Sequence, residues 1–359
     1  MSIELPAPPD AQKRGEILDR LERCNAELTT AEMMKVIPRH CFEKSAWRGA
    51  LGIAISIGAS IGAWWLLAWN LYWWLLPVLW FLAGTSVWGL YVMGHDCGHG
   101  SFSSSRRVNY VVGHLMLTPF LYPFHAWRLL HHHHHSNTNS LERDIDWRPL
   151  PVAVYRKLPG RPRLVYRMIR TWFWWAGTMH QWATMAFDLS RFKAGKDRDA
   201  VRFSIIVVAI YAAIFFPVML WTVGVWGLIK YFFVPWAIAY GWFSTVTLMH
   251  HSHVEVPFLD KQRWSQATAN LAMTIYCRFP RWCELLSHDI NVHVPHHVAP
   301  SIPYYRLREA HEALKARWPD LVREKRFRWR DLAHTLKSCQ LVDRKSGFYV
   351  GFEAAKKKR

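Results

Sequence analysis

The sequence predicts an all-α integral membrane protein with four transmembrane helices and a cytoplasmic helical cap that holds a histidine-ligated di-iron site. Three observations lead to this fold class. Hydrophobic residues make up 51% of the 359, with 22 Trp among them. These residues are concentrated in long blocks that almost lack charge, and three histidine clusters lie outside or at the ends of the blocks. A bilayer is the natural solvent for such blocks.

The first apolar block covers residues 49–94 and contains no Asp, Glu, Lys or Arg. A helix needs about 20 apolar residues to cross the hydrocarbon core of a membrane. The block therefore predicts two spans, near 49–69 and 72–94.

The second apolar block covers residues 203–249, and its one charged residue is Lys230. It predicts two further spans joined by a short polar break around 222–227. Lys230 would then lie near the far membrane interface, with its ammonium group extended into the headgroups.

These blocks divide the chain into an N-terminal segment 1–48, the first span pair 49–94, a central region 95–202, the second span pair 203–249 and a C-terminal region 250–359 that ends in a solvated basic tail. All Lys and Arg except one lie in the three segments outside the spans. Because short loops rich in Lys and Arg stay in the cytoplasm, all three segments are expected on the cytoplasmic side.

The formal net charge of +19 has two explanations. It reflects the positive-inside bias and attraction to anionic lipid, and it would also steer an acidic electron carrier to this face. No nucleic-acid recognition motif accompanies the charge, so nucleic acid is not an expected partner. Residues 155–170 are basic and 172–187 are aromatic and apolar, which predicts an interfacial helix.

The cysteines are expected to be free thiols, because all six fall on the predicted cytoplasmic side, where disulfides rarely persist. No signal peptide is visible in the polar first 47 residues.

Three histidine clusters have the spacing of metal ligands. Residues three or four apart on a helix share one face, so each cluster can direct its imidazoles to a common centre. The eight histidines are His95 and His99 in the first cluster, His131, His134 and His135 in the second, and His293, His296 and His297 in the third.

Eight imidazoles predict two metal ions, since one tetrahedral ion needs only four ligands. The chain lacks the His-Glu-x-x-His motif of zinc proteases, and iron is the best candidate for an all-histidine dinuclear site. His132 and His133 lie inside the run of five histidines but are expected to point away from it. Pro295 would interrupt a regular helix unless it lies in the first turn.

The strings around these clusters are highly specific. They are Gly94-His-Asp-Cys-Gly-His-Gly-Ser-Phe102, Tyr122-Pro-Phe-His-Ala-Trp-Arg-Leu-Leu130 before the second cluster, and His288-Asp-Ile-Asn-Val-His-Val-Pro-His-His297 followed by Ile302-Pro-Tyr-Tyr305. Through nearly its whole length the chain resembles the membrane fatty acid desaturases, most closely the acyl-lipid omega-6 (Δ12) desaturases of cyanobacteria and plastids.

The resemblance implies a di-iron enzyme that uses O2 and two electrons to insert a cis double bond into acyl chains of membrane lipids, converting oleoyl to linoleoyl groups. It implies that the eight histidines bind two Fe ions together with a further histidine near the end of the fourth span. His251 is the choice for that ligand, with His250 and His288 as rivals. Asp96 and Asp289 either orient neighbouring ligands or cap helices.

Other functions remain open at this stage. A related membrane di-iron hydroxylase or oxygenase, or a desaturase of other regiospecificity, would use similar ligands. A metal carrier is disfavoured by the charge-free spans. Because the chain contains no His-Pro-Gly-Gly segment of a fused cytochrome b5, an external electron donor is expected, and the resemblance suggests ferredoxin. An apolar substrate also requires a tunnel lined by the spans.

Overall fold

The computed structural model describes residues 7–356, and these are mostly helical. The first helices are α1 (Ala11–Glu27), α2 (Thr30–Val36), α3 (Ala46–Trp69), α4 (Leu76–His99), α5 (Arg106–Leu117), α6 (Phe124–His135), α7 (Val152–Lys157), α8 (Gly160–Ile169) and α9 (Gly177–Gln181). The later helices are α10 (Lys196–Leu228), α11 (Val234–His251), α12 (Gln266–Ala272), α13 (Arg281–Leu286), α14 (His293–Val298), α15 (Leu307–Arg317), α16 (Trp329–Ser338) and α17 (Glu353–Lys356).

Within the described part of the chain, three helical runs are long and apolar enough to cross a membrane, namely Ala46–Trp69, Trp73–His99 and Lys196–His251. The first two correspond to the predicted first span pair, and the chain turns between them at Asn70.

The third run is 56 residues long and reverses direction inside the predicted break. Gly224 has a φ of 67°, a conformation that glycine adopts without strain. Phe215 and Phe232 have ring centroids 5.0 Å apart, whereas a straight helix would separate them by about 25 Å. The run therefore consists of two antiparallel limbs.

The prediction of an all-α fold is wrong in one respect, because residues 7–356 include five short strands that form two small sheets. Their bounds are β1 (Leu150–Pro151), β2 (Ile275–Arg278), β3 (Arg323–Arg326), β4 (Leu341–Val342) and β5 (Tyr349–Val350). Strand β1 pairs parallel with β4, β4 pairs antiparallel with β5, and β2 pairs parallel with β3. Sequence-distant pairings of two to four residues leave no periodic signal that could predict them.

The predicted interfacial helix is also not continuous. Residues 172–187 form a 3-10 turn at Trp174–Ala176, then α9, then a π-helical turn at Trp182–Ala186. Several of its rings are exposed, and Trp172 reaches 82%. The segment lies against α11, where Thr178 donates a hydrogen bond to the Tyr240 carbonyl.

Helix ends place the histidine clusters. Helix α4 stops directly after His99 because Gly100 adopts the left-handed conformation, with a φ of 68°, and its N–H caps the last carbonyls. Helix α6 ends at His135 and α11 ends at His251. Helix α14 contains the third cluster, and Pro295 lies in its first turn, as the sequence requires.

All six cysteines are free and buried, which confirms the prediction. The basic tail lies mostly outside the described residues, of which Lys356 is the last.

Candidate metal centre

Helices α4, α6, α11 and α14 bring nine histidines into one cluster, in which seven side chains are buried and those of His99 and His131 are half-buried. The distances between ring nitrogens divide the cluster into a five-histidine group (His95, His99, His131, His135 and His296) and a four-histidine group (His134, His251, His293 and His297).

In the five-histidine group, the His296 Nε2 atom lies 3.1 Å from Nε2 of both His95 and His135. The His135 Nε2 atom is also 3.1 Å from that of His131. His99 closes the group, with nitrogen atoms of His95, His99, His131 and His296 all within 4.8 Å of one another.

In the four-histidine group, the His251 Nε2 atom lies 3.2 Å from that of His134 and 3.1 Å from that of His293. The His297 Nε2 atom is 3.0 Å from that of His293. Helix α11 thus contributes a donor that lies outside the three sequence clusters.

The two groups are in contact. The His135 and His297 rings stack with centroids 4.0 Å apart and an interplanar angle of 13°. Neighbouring residues on α6, His134 and His135, point into different groups, and so do His296 and His297 on α14. Each of these helices therefore supplies both halves of the cluster.

The donor set fits metal ions better than it fits hydrogen bonding. A ring nitrogen carries at most one proton, so the Nε2 atom of His296 cannot form full hydrogen bonds with the Nε2 atoms of both His95 and His135, of which the second is also shared with His131. Two ligands at right angles, each about 2.1 Å from one ion, would be about 3.0 Å apart, close to the observed spacing. The buried His99 Nε2 atom also has no hydrogen-bond partner within residues 7–356.

Burial keeps most of these imidazoles neutral, which metal binding requires. Burial, followed by the charges of nearby histidines, holds the pKa values of His131, His135, His296 and His297 well below the ordinary value. Burial likewise lowers the pKa of His293 to about 3.

Asp144 orients His134 from the side opposite to the cluster. One carboxylate oxygen lies 2.8 Å from His134 Nδ1 and also accepts the Asp146 N–H at 3.0 Å, and the other accepts the Asn139 N–H at 2.7 Å. Burial is the largest single influence on the His134 pKa and would lower it, but the charge and hydrogen bond of Asp144, together with the charge of Asp146, outweigh burial and raise the pKa. The contact leaves the His134 Nε2 atom facing the cluster.

Two further partners hold ring nitrogens. Asp96 lies 3.2 Å from His95 Nδ1, and its second oxygen accepts the Tyr304 N–H at 3.2 Å. The Thr138 hydroxyl lies 3.1 Å from His297 Nδ1. Asp96 therefore takes the orienting position that was one of its two expected roles.

Asp289 does not take that position. Both of its oxygens contact the Arg308 guanidinium, at 2.5 and 2.9 Å. His288 and Asp289 have φ values of 47° and 52°, and we attribute the turn of the carboxylate toward α15 to this left-handed bend.

Neither rival of His251 has a ring nitrogen in the short nitrogen–nitrogen contacts of the cluster. His288 Nε2 contacts the Ser56 hydroxyl at 2.6 Å. His250 packs against His293 with ring centroids 4.0 Å apart and an interplanar angle of 30°, and neither of its ring nitrogens has a hydrogen-bond partner among the described residues. His132 and His133 are exposed, which agrees with the facing argument made from the sequence.

Sequence reasoning missed Asp144 and Thr138. Asp144 follows the second cluster in the loop between α6 and β1, among other acidic residues such as Glu142 and Asp146. Nothing in that spacing shows which carboxylate turns back to a histidine.

An apolar cavity of about 370 Å³ lies between the long helices. Its walls include Trp64 of α3, Val87 of α4, Phe215 of α10 and Trp236 of α11. Val87 precedes His95 by eight residues, which is about 12 Å along a helix. The cavity thus lies in the apolar bundle below the cluster.

Long apolar helices and a buried cluster of nine histidines define a membrane protein built around a polyhistidine site. The profile of the fatty acid desaturase family matches residues 71–329. The chain therefore belongs to the fatty acid desaturase family, and it is an oxidoreductase.

Similar proteins cover nearly the whole chain. The sn-1 oleoyl-lipid 12-desaturase of Synechocystis sp. is 44% identical over 91% of this chain and 93% of its own length. The protein of the same description from Anabaena variabilis is 39% identical over 94% of this chain and 95% of its own length. The chloroplastic omega-6 fatty acid desaturase of Spinacia oleracea is 34% identical over 92% of this chain and 73% of its own length.

Proposed function

We propose that this enzyme inserts a cis double bond at the Δ12 position of oleoyl groups carried on membrane lipids. The single observation that carries the proposal is the histidine cluster in a chain that is 44% identical to an oleoyl-lipid 12-desaturase. The reaction removes two hydrogens from adjacent methylene carbons and, with O2, two electrons and two protons, produces the alkene and two waters.

In this proposal the nine histidines bind two iron ions, the five-histidine group one and the four-histidine group the other. Irons held in this way would supply the strong oxidant that cleavage of an unactivated C–H bond requires. Neutral imidazoles fit the role because they leave the positive charge of the ions uncompensated. Asp144 keeps His134 oriented, and burial excludes bulk water from the cluster.

The apolar cavity beside Val87 and Trp236 would hold the acyl chain. Binding in a fixed conformation places one carbon pair next to the cluster and thereby selects the position of the double bond.

Expression in a host that contains oleate but no linoleate tests the reaction. Gas chromatography with mass spectrometry that locates double bonds should find a Δ9,Δ12 diene in the lipid fraction. The His296→Ala variant, expressed at the same level, is the control. A hydroxylated oleate would identify a hydroxylase, a diene at other carbons would change the regiospecificity, and no product would refute the proposal.

We further propose four membrane passes, with both ends and the histidine cluster in the cytoplasm. The reversal at Gly224 and the distribution of Lys and Arg support this topology. Because all native cysteines are buried, new ones can be labelled selectively. An impermeant maleimide should label Leu71→Cys in intact cells, and Arg344→Cys only after permeabilisation. The reverse pattern would invert the topology.

The electron donor is proposed to be an acidic external protein of the ferredoxin type. The net charge of +19 supports this choice. Activity that depends on reduced ferredoxin should fall as salt rises from about 0.05 to 0.5 M, because salt screens surface attraction. Salt-independent activity would argue against electrostatic docking.

A further inference from the structure

A second cavity is lined by arginines and by none of the nine histidines of the cluster. It measures about 670 Å³ and lies where β2 and β3 end, and we call it the arginine chamber. Its cationic wall consists of Arg278, Arg281, Arg308 and Arg326.

Strand register places two of these arginines side by side. In the parallel pair β2 and β3, Arg278 is directly opposite Arg326. Like charges in this position destabilise a sheet. An anion bound between the two side chains would explain why both arginines are present.

The carboxylates near the chamber are already shared among several cations. Glu284 and Asp289 each contact both Arg281 and Arg308. Glu324 forms ion pairs with Arg278 at 2.6 Å and Lys315 at 3.0 Å, and it also lies 2.7 Å from the His311 Nε2 atom.

Within residues 7–356, the Arg326 side chain forms no ion pair and no hydrogen bond. Glu312 lies at the rim, is exposed, and forms no ion pair within the same range. The chamber therefore has a guanidinium group available for an external anion.

The opposite side of the same strand ends is apolar. Successive side chains of a strand alternate between its faces, and the residues after the arginine pair, Phe279 and Phe327, stack with centroids 4.7 Å apart. Phe279 also contacts Trp242, with centroids 5.9 Å apart. Trp242 and Phe327 line an apolar groove of about 440 Å³ on α11, so the groove and the chamber share this aromatic wall.

Exposed apolar side chains surround the two cavities. Trp282 is 46% exposed, Leu285 63% and Trp329 70%. Tryptophan is enriched at membrane interfaces, where its ring spans the apolar and polar layers. An acidic protein would match the arginines but not this apolar surround.

We propose that the arginine chamber and the adjoining groove bind one anionic diacyl lipid. Its phosphate or sulfonate would lie between Arg278 and Arg326, and one acyl chain would follow the groove past Phe327 and Trp329. The site is separate from the cavity proposed for the acyl substrate, and it does not depend on the proposed reaction.

Native mass spectrometry of the full-length chain in uncharged detergent tests the site. Dioleoylphosphatidylglycerol should bind in excess of dioleoylphosphatidylcholine, because only the first has a net charge. Arg326→Gln should weaken binding of the anionic lipid by about tenfold or more, the range for loss of a charge-assisted hydrogen bond. Trp329→Ala should also weaken it.

The matched control is Arg344→Gln, an exposed arginine distant in sequence from the chamber, which should leave both affinities unchanged. Lipid-free melting temperature shows whether each variant folds. If Arg326→Gln fails to fold, Arg278→Gln, whose side chain is 50% exposed, replaces it with the same expectation.

Three results would overturn the proposal. One is equal binding of the two lipids by the wild type, and a second is unchanged binding of phosphatidylglycerol by the folded arginine variants. The third is that inorganic phosphate alone, at the same concentration, stabilises the protein as much as the lipid does, which would indicate a free-anion site. If the variants instead lose only salt-sensitive activity with the electron donor, the chamber binds an acidic protein and not a lipid.

Discussion

The two halves of the histidine cluster are held in place by different means. The four-histidine group is oriented by polar partners, above all the 2.8 Å contact between Asp144 and His134. The five-histidine group is packed against an aromatic ring. Trp127 stacks on His131 with centroids 4.8 Å apart and lies 5.3 Å from His95.

This difference indicates what each half can tolerate. A charge-assisted hydrogen bond fixes one imidazole in direction, and its loss is local. Packing against a buried indole fixes several rings at once, and any change in the shape of the wall displaces them together. The four-histidine group also has fewer ring nitrogens that could bind a metal ion, so loss of one of them should weaken the binding of its ion more.

The largest effect is expected from removal of a donor. His251→Ala and His99→Ala should both reduce desaturation below detection, but His251→Ala should lose more iron because its group keeps only three donors. Iron per purified chain, measured by plasma mass spectrometry, and diene formation are the readouts. Full iron and activity in His251→Ala would remove α11 from the proposed metal site.

Asp144→Asn should lower activity by about 10- to 100-fold, the usual cost of losing an outer partner of a metal-bound histidine. The amide cannot accept from both His134 and the Asn139 N–H as the carboxylate does. Asp96→Asn is the matched variant and should cost less, because its contact with His95 is longer, at 3.2 Å. Equal losses would show that the two groups depend on their carboxylates to the same degree.

The sequence predicted the parts of this site that follow from periodicity. Spacing of three or four residues placed His131, His134 and His135 on one face of α6, and charge-free length located the long helices. The break predicted around 222–227 contains the observed reversal at Gly224.

Long-range packing accounts for what the sequence could not predict. The division of neighbouring histidines between two groups depends on how α6 faces α14. Asp144 and Asp289 are both acidic residues near a cluster, yet the first turns to a histidine and the second to Arg308. Only the loop conformation distinguishes them, and that conformation depends on contacts distant in sequence.

Gly98→Ala should destabilise the protein by about 1–3 kcal/mol, the range for overpacking in a buried site. A Cβ at Gly98 would lie 2.2 Å from the Trp127 ring. The five-histidine group should therefore lose iron first, through displacement of His131. Gly62→Ala on α3 is the control, since nothing lies within 4 Å of its added Cβ. Equal melting temperatures for the two variants would mean that the Trp127 ring can move to accommodate the added methyl group.

The smallest effects are expected at the histidines that face away from both groups. His132→Ala should leave activity within about twofold, because exposed substitutions rarely exceed about 0.5 kcal/mol. His133→Ala should lower the melting temperature slightly more, since its Nε2 contacts the Arg143 carbonyl at 2.9 Å. Initial rates and thermal melts of both variants are the measurements. A tenfold loss of activity in His132→Ala would show that an exposed histidine of the run binds iron or the electron donor. The direction of a side chain on α6 would then not distinguish metal ligands from the other histidines.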